Sequence, residues 1–359
     1  MSGLHFHPLR VAALRPEADD ALVLSFELPP ALQASFSFTP GQHLTLRRRV
    51  DGQELRRSYS ICSAPGEALQ VGVRRVAGGV FSTWLHGSLK AGDEIDVMEP
   101  EGHFGAALAA PAPAGRHLLL VAGGSGITPI LSMLRTVLAG EPATRCTLLY
   151  GNRTAASTMF KEELEDLKNR HLTQLALHPV FSRETLDAPL NSGRLDRDKV
   201  SAFLRLIGAS NIDQAFVCGP HAMNDEAEAA LRAAGVPAAR IHVERFGVPV
   251  SAADATLHAP QAGDATGARI VVVRDGLARE VAFDAADASI LAAATRSGMD
   301  LPFSCQSGVC ATCRAKLLEG QVRMDRNFAL DAAEVEAGFV LTCQAHPLSE
   351  RVVVSFDER

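Results

Sequence analysis

Long apolar runs are missing from this sequence of 359 residues. No segment approaches the roughly 20 consecutive apolar residues that cross a bilayer. The opening "MSGLHFHPLRVAALRPEADD" also has no basic start leading into an apolar stretch. Neither a membrane span nor an export signal is therefore expected, and the expected location is cytoplasmic. Basic blocks are missing too. Apart from Arg47, Arg48 and Arg49 in "LRRR", read as a solvated strand end, nothing concentrates positive charge, and the formal net charge is −6. That excludes nucleic acid as an expected partner. Tryptophan and tyrosine are scarce, at one and two residues, yet 47% hydrophobic and 21% charged residues describe a folded soluble chain and not a disordered one. No internal repeat or low-complexity tract occurs. The length exceeds what one ordinary core serves, so two or three domains are expected.

Cysteine is scarce as well, but unevenly so. Of seven in the chain, Cys305, Cys310 and Cys313 crowd into "PFSCQSGVCATC". In a reducing compartment such a cluster is rarely a disulfide staple, which leaves metal or redox chemistry. The spacing is C-x4-C-x2-C, and Cys343 follows after 29 intervening residues, the plant-type ferredoxin pattern for a 2Fe–2S cluster. Four thiolates around two irons require a loop slim enough for its backbone to wrap the sulfides, and Ser304, Ser307, Gly308, Ala311 and Thr312 are suitably small. Zinc remains the alternative, although zinc ligands more often come as two C-x2–4-C pairs and the later half here offers Cys343 alone. Cys62, Cys146 and Cys218 stand apart and are expected to be buried small side chains.

Three folded segments emerge along the chain. Residues 1–110 read as short strands punctuated by turns, among them "ALVLSFEL", "QHLTLRRR", "RRSYSIC", "LQVGVRRV" and "DEIDVMEP", which predicts an antiparallel β-barrel. Residues 111–246 change to apolar strands alternating with helical stretches, an α/β domain with a parallel sheet. Its first helix is marked by Ile130, Met133, Leu134, Val137 and Leu138 at helical spacing, by Pro129 in the first turn and by Gly140 at the end. Residues 247–266 have a linker composition, small and polar with proline. Residues 267–359 form a third domain: a hairpin in "ARIVVVRDGLAREVAF", a helix in "ASILAAATRSG", the cysteine loop, and a closing strand in "ERVVVSF".

Two segments point to nucleotide chemistry. In "RRSYSIC", Arg57 is placed to pair with a phosphate, Tyr59 offers an aromatic face to an isoalloxazine ring, and Ser60 offers a hydrogen bond near its N5. Standing alone, this segment is equally a plain strand. It gains weight from "GGVFSTWL" downstream, where Gly78, Gly79 and Ser82 open a short helix whose N-terminus suits a pyrophosphate. The second segment, "LLLVAGGSGITPILSML", is a strand, a glycine-rich turn and a helix. There Gly123, Gly124 and Gly126 allow close approach of a pyrophosphate, and Thr128 is expected to cap the helix. Pro129 stands where the Rossmann fingerprint has its third glycine, so the turn is of another type. After the next strand, an NAD site would present an acidic residue, whereas this chain has Asn152 and Arg153 in "LLYGNRT". A further strand ends in Ser182 and Arg183. Two arginines with a hydroxyl suit a 2′-phosphate, so NADPH is expected over NADH. "FVCGP" ends another strand, placing Cys218, Gly219 and Pro220 where open α/β sheets bind ligands. Cys218 is either a core thiol or packing beside the reacting nicotinamide carbon.

In this order, the motifs R-x-Y-S, G-G-x-x-S, G-G-x-G-I-T-P, C-G-P and C-x4-C-x2-C with a distant Cys resemble the ferredoxin–NADP reductase superfamily with a C-terminal plant-type ferredoxin domain. More narrowly, "PGQHLTL", "DGQELRRSYSIC", "PEGHFG", "HVERF" and "AGFVLTCQAHPL" resemble the family of reductase components that serve phenylacetyl-CoA epoxidases in phenylacetate catabolism. The resemblance implies a multidomain fold of flavin barrel, nicotinamide domain and α+β (β-grasp) ferredoxin domain. It implies FAD held by Arg57, Tyr59, Ser60 and Ser82. Nicotinamide contacts are implied for Gly124, Thr128, Cys218 and Pro220, a 2Fe–2S cluster on Cys305, Cys310, Cys313 and Cys343, and a di-iron oxygenase component as partner. Glu244 and Phe246 of "HVERF" match the segment that returns toward the flavin, and Ser60, Cys218 and Glu244 are the implied catalytic residues. No helix carries the carboxylates and Glu-x-x-His of a di-iron site, so the chain is expected to be the electron donor. The alternatives are a reductase of another multicomponent hydroxylase or demethylase, and a stand-alone electron-transfer protein. From Arg269 onward there are 10 Lys+Arg against 13 Asp+Glu, a mild excess that favours a tethered cluster with a specific partner.

Overall fold

A computed structural model describes residues 5–50, 52–110, 112, 114–247 and 258–358. The chain divides into two compact units, residues 6–246 and, apart from a few N-terminal residues, 247–359. Among the described residues, no helix is long and apolar enough to cross a membrane.

The first unit opens with six antiparallel strands: β1 (Phe6–Ala18), β2 (Ala21–Glu27), β3 (His43–Val50), β4 (Gln53–Ser60), β5 (Gln70–Arg74) and β6 (Glu94–Met98). Their order is β4-β3-β6-β1-β2-β5, and a bridge from Ile61 to Val71 joins the two outer strands and closes the barrel. Sequence reading finds five of these strands but misses β1, the longest. Its "FHPLRVAALRPEA" contains two prolines, which argue against a central strand. The structure accommodates them because β1 changes partner: residues 6–10 pair with β6 and residues 10–18 with β2. Pro8 and Pro16 are each paired on one side only. Helix α1 (Val80–Gly87) lies between β5 and β6 and buries Phe81 and Leu85 against the barrel interior.

A five-stranded parallel sheet follows, built from β7 (His117–Gly123), β8 (Arg145–Asn152), β9 (Leu175–Phe181), β10 (Gln214–Gly219) and β11 (Ile241–Arg245) in the order β11-β10-β7-β8-β9. Around it are α2 (Ile127–Gly140), α3 (Lys161–Arg170), α4 (Arg197–Ile207) and α5 (His221–Ala233). The helical spacing of Ile130, Met133, Leu134, Val137 and Leu138 is borne out, since all five are buried in α2. Cys62, Cys146 and Cys218 share one core cluster with α2, and all three thiols are buried, as expected. Chiefly through burial, Cys62 and Cys146 are pushed up to about 12, so they stay protonated packing groups.

The second unit has β12 (Arg269–Arg274), β13 (Leu277–Ala282), α6 (Ile290–Arg296), β14 (Arg314–Glu319), β15 (Val322–Met324), α7 (Ala332–Glu336), β16 (Phe339–Leu341), β17 (Ala345–Pro347) and β18 (Arg351–Ser355). A mixed sheet runs β13-β12-β18-β14-β16, and β15 pairs with β17 in a separate ribbon. The expected hairpin forms around Asp275 and Gly276, both at positive φ (53° and 73°) as a two-residue turn of this hand needs. The Asp357 carboxylate accepts both of their N–H groups, at 2.6 and 2.9 Å. Ser289 caps α6 by accepting from the N–H of Ala292. Part of the stretch read as linker, residues 248–257, lies outside the described residues. The rest of it is fastened to this unit: Arg323 donates twice to Asp264, at 2.7 Å each, and the Ala265 N–H donates to the Pro347 carbonyl.

Candidate functional site

The first unit brings together three side chains from distant parts of the sequence. Ser60 ends β4, Cys218 lies in β10, and Glu244 sits beside Cys218 in the register of β11. The Ser60 hydroxyl donates to Glu244 Oε2 at 3.3 Å, and the Cys218 thiol points to the same oxygen at 3.9 Å. Burial raises the Glu244 carboxyl to about 8, partly offset by those two hydrogen bonds. Cys218 is pushed well above the thiol range by burial and by the Glu244 charge. At neutral pH this is a protonated, part-buried cluster of hydroxyl, thiol and carboxyl, able to hold a proton and to orient a planar ligand.

Along the same strand, Arg57 is exposed and donates to the Arg56 carbonyl at 2.7 Å. Tyr59 is half-buried, with its ring stacked on Phe81 at 6.3 Å and 29°. Gly79 is the N-cap of α1 and supplies no side-chain cap, so the first-turn amides have no side-chain acceptor. The Ser82 hydroxyl accepts from the Val76 N–H at 3.1 Å and donates to Gly79 O at 3.4 Å, which closes the turn. This arrangement fits a flavin with its ring near Tyr59 and its pyrophosphate at α1.

The glycine-rich turn corrects one expectation. Thr128 does not cap α2: the N-cap is Gly126, and Thr128 is the second helical residue, its hydroxyl donating back to the Ser125 carbonyl at 3.0 Å. A threonine already in helical geometry turns its hydroxyl to the preceding turn and not to the amides ahead. No side chain caps α2; its first amide, Ile127 N–H, instead donates to the Gly124 and Ser125 carbonyls, and Pro129 has no N–H to offer. Gly126 is needed for packing, since a Cβ there would sit 2.1 Å from the Cys218 carbonyl oxygen. At Gly124, with φ 53°, the nearest atom to that position is an Arg74 nitrogen at 3.7 Å, an ordinary van der Waals contact, so it is the left-handed backbone that favours glycine there. Gly123 packs on Pro220 and Met223, and Gly219 on Gly123, which locks the "CGP" turn against the glycine turn. Phe246, just past β11, is 46% exposed.

Beyond β8 and β9 the ladder continues, with Ser182 N–H donating to Asn152 O and Arg183 N–H to Arg153 O, both at 2.9 Å. Arg153, Ser182 and Arg183 thus stand together at the C-terminal end of the parallel sheet, and Ser182 and Arg183 are exposed. Three contributors here escape sequence reading. Asp20, in the β1–β2 turn, accepts from Arg153 at 3.0 Å and pairs with Arg74 at 3.3 Å. Arg74 in turn donates to the Ser157 carbonyl at 2.6 Å. The Tyr150 hydroxyl reaches the Gly124 carbonyl at 3.0 Å and supports the glycine turn from beneath. Asp20 and Arg74 stand in no nucleotide motif, and Tyr150 lies within "LLYGNRT", whose Asn152 and Arg153 carry the cofactor signal.

In the second unit the four cysteines converge in two pairs, Cys305 with Cys310 and Cys313 with Cys343, each thiol hydrogen-bonded to its mate. The hydrogen bond from Cys310 holds Cys305 down to about 5, and Cys310 and Cys313 are raised by their partners and by burial. Between them the loop takes left-handed backbone at Gln306, Gly308 and Ala311, the curl that lets amides face inward. The Ser307 N–H points to Cys305 Sγ at 3.4 Å and Gln344 Nε2 to Cys343 Sγ at 3.5 Å. All seven cysteines are free thiols. Amide donors aimed at converging thiols in a narrow loop fit an iron–sulfur cluster.

Three domain families match in succession: an oxidoreductase FAD-binding domain over residues 9–105, an oxidoreductase NAD-binding domain over residues 120–229, and a 2Fe-2S iron-sulfur cluster binding domain over residues 272–348. End to end, one of the subunits of 1,2-phenylacetyl-CoA epoxidase from Escherichia coli (strain K12) is 45% identical, over 99% of this chain and 98% of that protein. The chain belongs to the ferredoxin–NADP reductase superfamily with a C-terminal ferredoxin domain. Another such reductase, the ferredoxin reductase component of 3-ketosteroid-9-alpha-monooxygenase from Mycobacterium tuberculosis (strain CDC 1551 / Oshkosh), is 34% identical over 99% of this chain and 97% of that one. Among solved structures, phthalate dioxygenase reductase superposes with a TM-score of 0.60 at 25% identity, covering 98% of both chains. As a member of this superfamily the protein is an oxidoreductase with FAD-, NAD(P)- and 2Fe–2S-binding domains, and the expected β-barrel, parallel-sheet and α+β ferredoxin domains are its fold.

Proposed function

We propose that this reductase is the electron donor of a phenylacetyl-CoA epoxidase, taking a hydride from NADPH and delivering electrons one at a time to a di-iron oxygenase component. The observation that carries this reading is the 45% identity, running through all three domains, to a component of the Escherichia coli epoxidase. When bound, FAD accepts the electron pair and the 2Fe–2S cluster passes electrons on singly. The residues do the positioning. Arg57, Tyr59, Gly79 and Ser82 hold FAD, and Ser60 orients its reacting edge. Gly123, Gly124, Gly126, Thr128 and Pro129 form the turn for the nicotinamide nucleotide's pyrophosphate, and Cys218, Gly219 and Pro220 shape the nicotinamide pocket with Phe246 at its rim. Glu244, protonated near neutrality, keeps Ser60 and Cys218 in place. Cys305, Cys310, Cys313 and Cys343 would hold the 2Fe–2S cluster. The functional segments are those read from the sequence: 1–110, 111–246 and 267–359, joined through 247–266.

NADPH is favoured over NADH because Arg153, Ser182 and Arg183 adjoin where an NAD site would carry an acidic residue. A second reading, service to a different oxygenase, draws support from the 34% identity to a monooxygenase reductase component. Reconstitution separates the two. With NADPH and the purified oxygenase component of a phenylacetyl-CoA epoxidase, the chain is expected to support phenylacetyl-CoA consumption. Rapid ferricyanide reduction without such turnover would leave only the second reading.

A further inference from the structure

We propose that His258, Asp325 and His346 form a site for one divalent cation of the zinc class, separate from the thiol loop. The three residues come from different places: His258 lies in the stretch read as linker, Asp325 directly follows β15, and His346 is the middle residue of β17. His258 Nδ1 is 2.7 Å from Asp325 Oδ2, and His346 Nε2 is 2.8 Å from the same oxygen. Their donor atoms all lie within 4.8 Å of one another. The Asp325 side chain is 1% exposed and that of His346 3%, whereas His258 is 29% exposed.

A buried carboxylate oxygen that meets two imidazole nitrogens can be satisfied in two ways: both rings donate a proton to it, or one cation replaces both protons. The second needs only that each ring carry its proton on the other nitrogen. Two imidazoles and a carboxylate are a zinc ligand set, and the exposed side of His258 leaves a fourth position for water. Outside the ligands, the arrangement resembles the support that orients metal-binding carboxylates. Arg323, opposite His346 in the β15–β17 register, holds the other Asp325 oxygen, Oδ1. Asp264 fixes Arg323 in turn through two hydrogen bonds. Two carboxylates facing one guanidinium leave an excess negative charge for a cation to meet. The His258 and His346 rings lie 6.1 Å apart at 26°, close to parallel. With no thiol among the ligands, the site does not compete for the cysteines' iron.

Occupancy would clasp the chain at His258 to the ribbon that adjoins the cysteine loop. The Asp325 N–H donates to the Gln344 carbonyl at 3.0 Å, next to Cys343. The test uses the full-length protein with its iron content counted, titrated with zinc chloride alone in a calorimeter, then desalted and assayed for metal. The expected result is about one zinc per chain with iron unchanged, and weakening by about tenfold or more in His258→Ala and in His346→Gln. His258→Ala removes a partly exposed side chain outside any strand, so it keeps the fold, and a control, His171→Ala, should leave binding intact. If the wild type retains no zinc, if His258→Ala binds as tightly, or if the control loses as much, the residues form a hydrogen-bonded clasp or the zinc is adventitious, and the proposal fails.

Discussion

The two units of this reductase build their chemistry in opposite ways. In the second, three of the four thiols lie between residues 305 and 313, and only Cys343 comes from afar. In the first, the Ser60–Glu244 hydrogen bond spans 184 positions, and Cys218 joins from a third strand. A site made by one loop depends on that loop's own spacing and backbone, so its chemistry can be abolished without harming its neighbours. A site made by strand pairing is dispersed: each member contributes by degree, and each also serves packing. The predictions test this contrast.

The largest effect is expected in the loop. Replacing Cys305, Cys310, Cys313 or Cys343 by Ser should abolish the 2Fe–2S electron resonance signal seen on dithionite reduction and leave flavin absorbance in place. Loss of flavin together with the signal would break the contrast, because the loop would then be coupled to the first unit's fold.

Next comes the nucleotide end of the parallel sheet. Arg183→Ala or Arg153→Ala should raise the KM for NADPH by about ten- to a hundredfold, the worth of one charge-assisted bond at ~1.5–3 kcal/mol, with little change for NADH. Equal effects on both nucleotides would place these arginines outside any 2′-phosphate contact.

Glu244 should give a smaller, pH-dependent effect. Its carboxyl is raised from 4.5 to about 8, so between those values the folded chain keeps a proton that the unfolded chain releases. Stability from this group therefore falls as pH rises through that window, and Glu244→Gln should flatten the fall in denaturant titrations. If the protonated form is the competent one, ferricyanide reductase activity should drop by about tenfold per pH unit above 8 in the wild type and not in the variant. A wild-type profile without that break would remove Glu244 from the hydride-transfer region.

The smallest effect belongs to Asp20, which holds Arg153 in a partly exposed pair (24% and 48% exposed). Such pairs contribute about 0–1 kcal/mol, so Asp20→Asn should release Arg153 and raise kcat/KM for NADPH by up to about fivefold, leaving NADH unchanged. A fall for NADH instead would mark Asp20 as the acidic residue for a ribose 2′-OH, supplied by the barrel's β1–β2 turn and not by the parallel sheet.

Strands β2 to β6, helix α2, the Asp275-Gly276 hairpin and the cysteine loop are legible because each rests on local rules: alternation, helical spacing, turn chemistry and ligand spacing. Strand β1 is not, since two prolines argue locally against a central strand and only its change of partner makes them harmless. Thr128 has the residue type of a cap, and its hydroxyl in fact bonds backward. Residues 258–266 have a linker's composition, but Asp264 and Ala265 meet their partners Arg323 and Pro347 only after β15 and β17 have paired.

By itself, then, the sequence determined the class of chemistry. Four cysteines at ferredoxin spacing and two glycine-rich turns in order specify an iron–sulfur centre and two nucleotide sites, because thiolate ligation and phosphate cradling are demands on short stretches of chain. Tertiary structure alone decided which residues meet: Glu244 with Ser60 and Cys218, Asp20 with Arg153, Asp325 with two histidines. Those meetings follow from strand order, register and partner exchange, which are set by long-range pairing and burial, and no short stretch of chain carries that information.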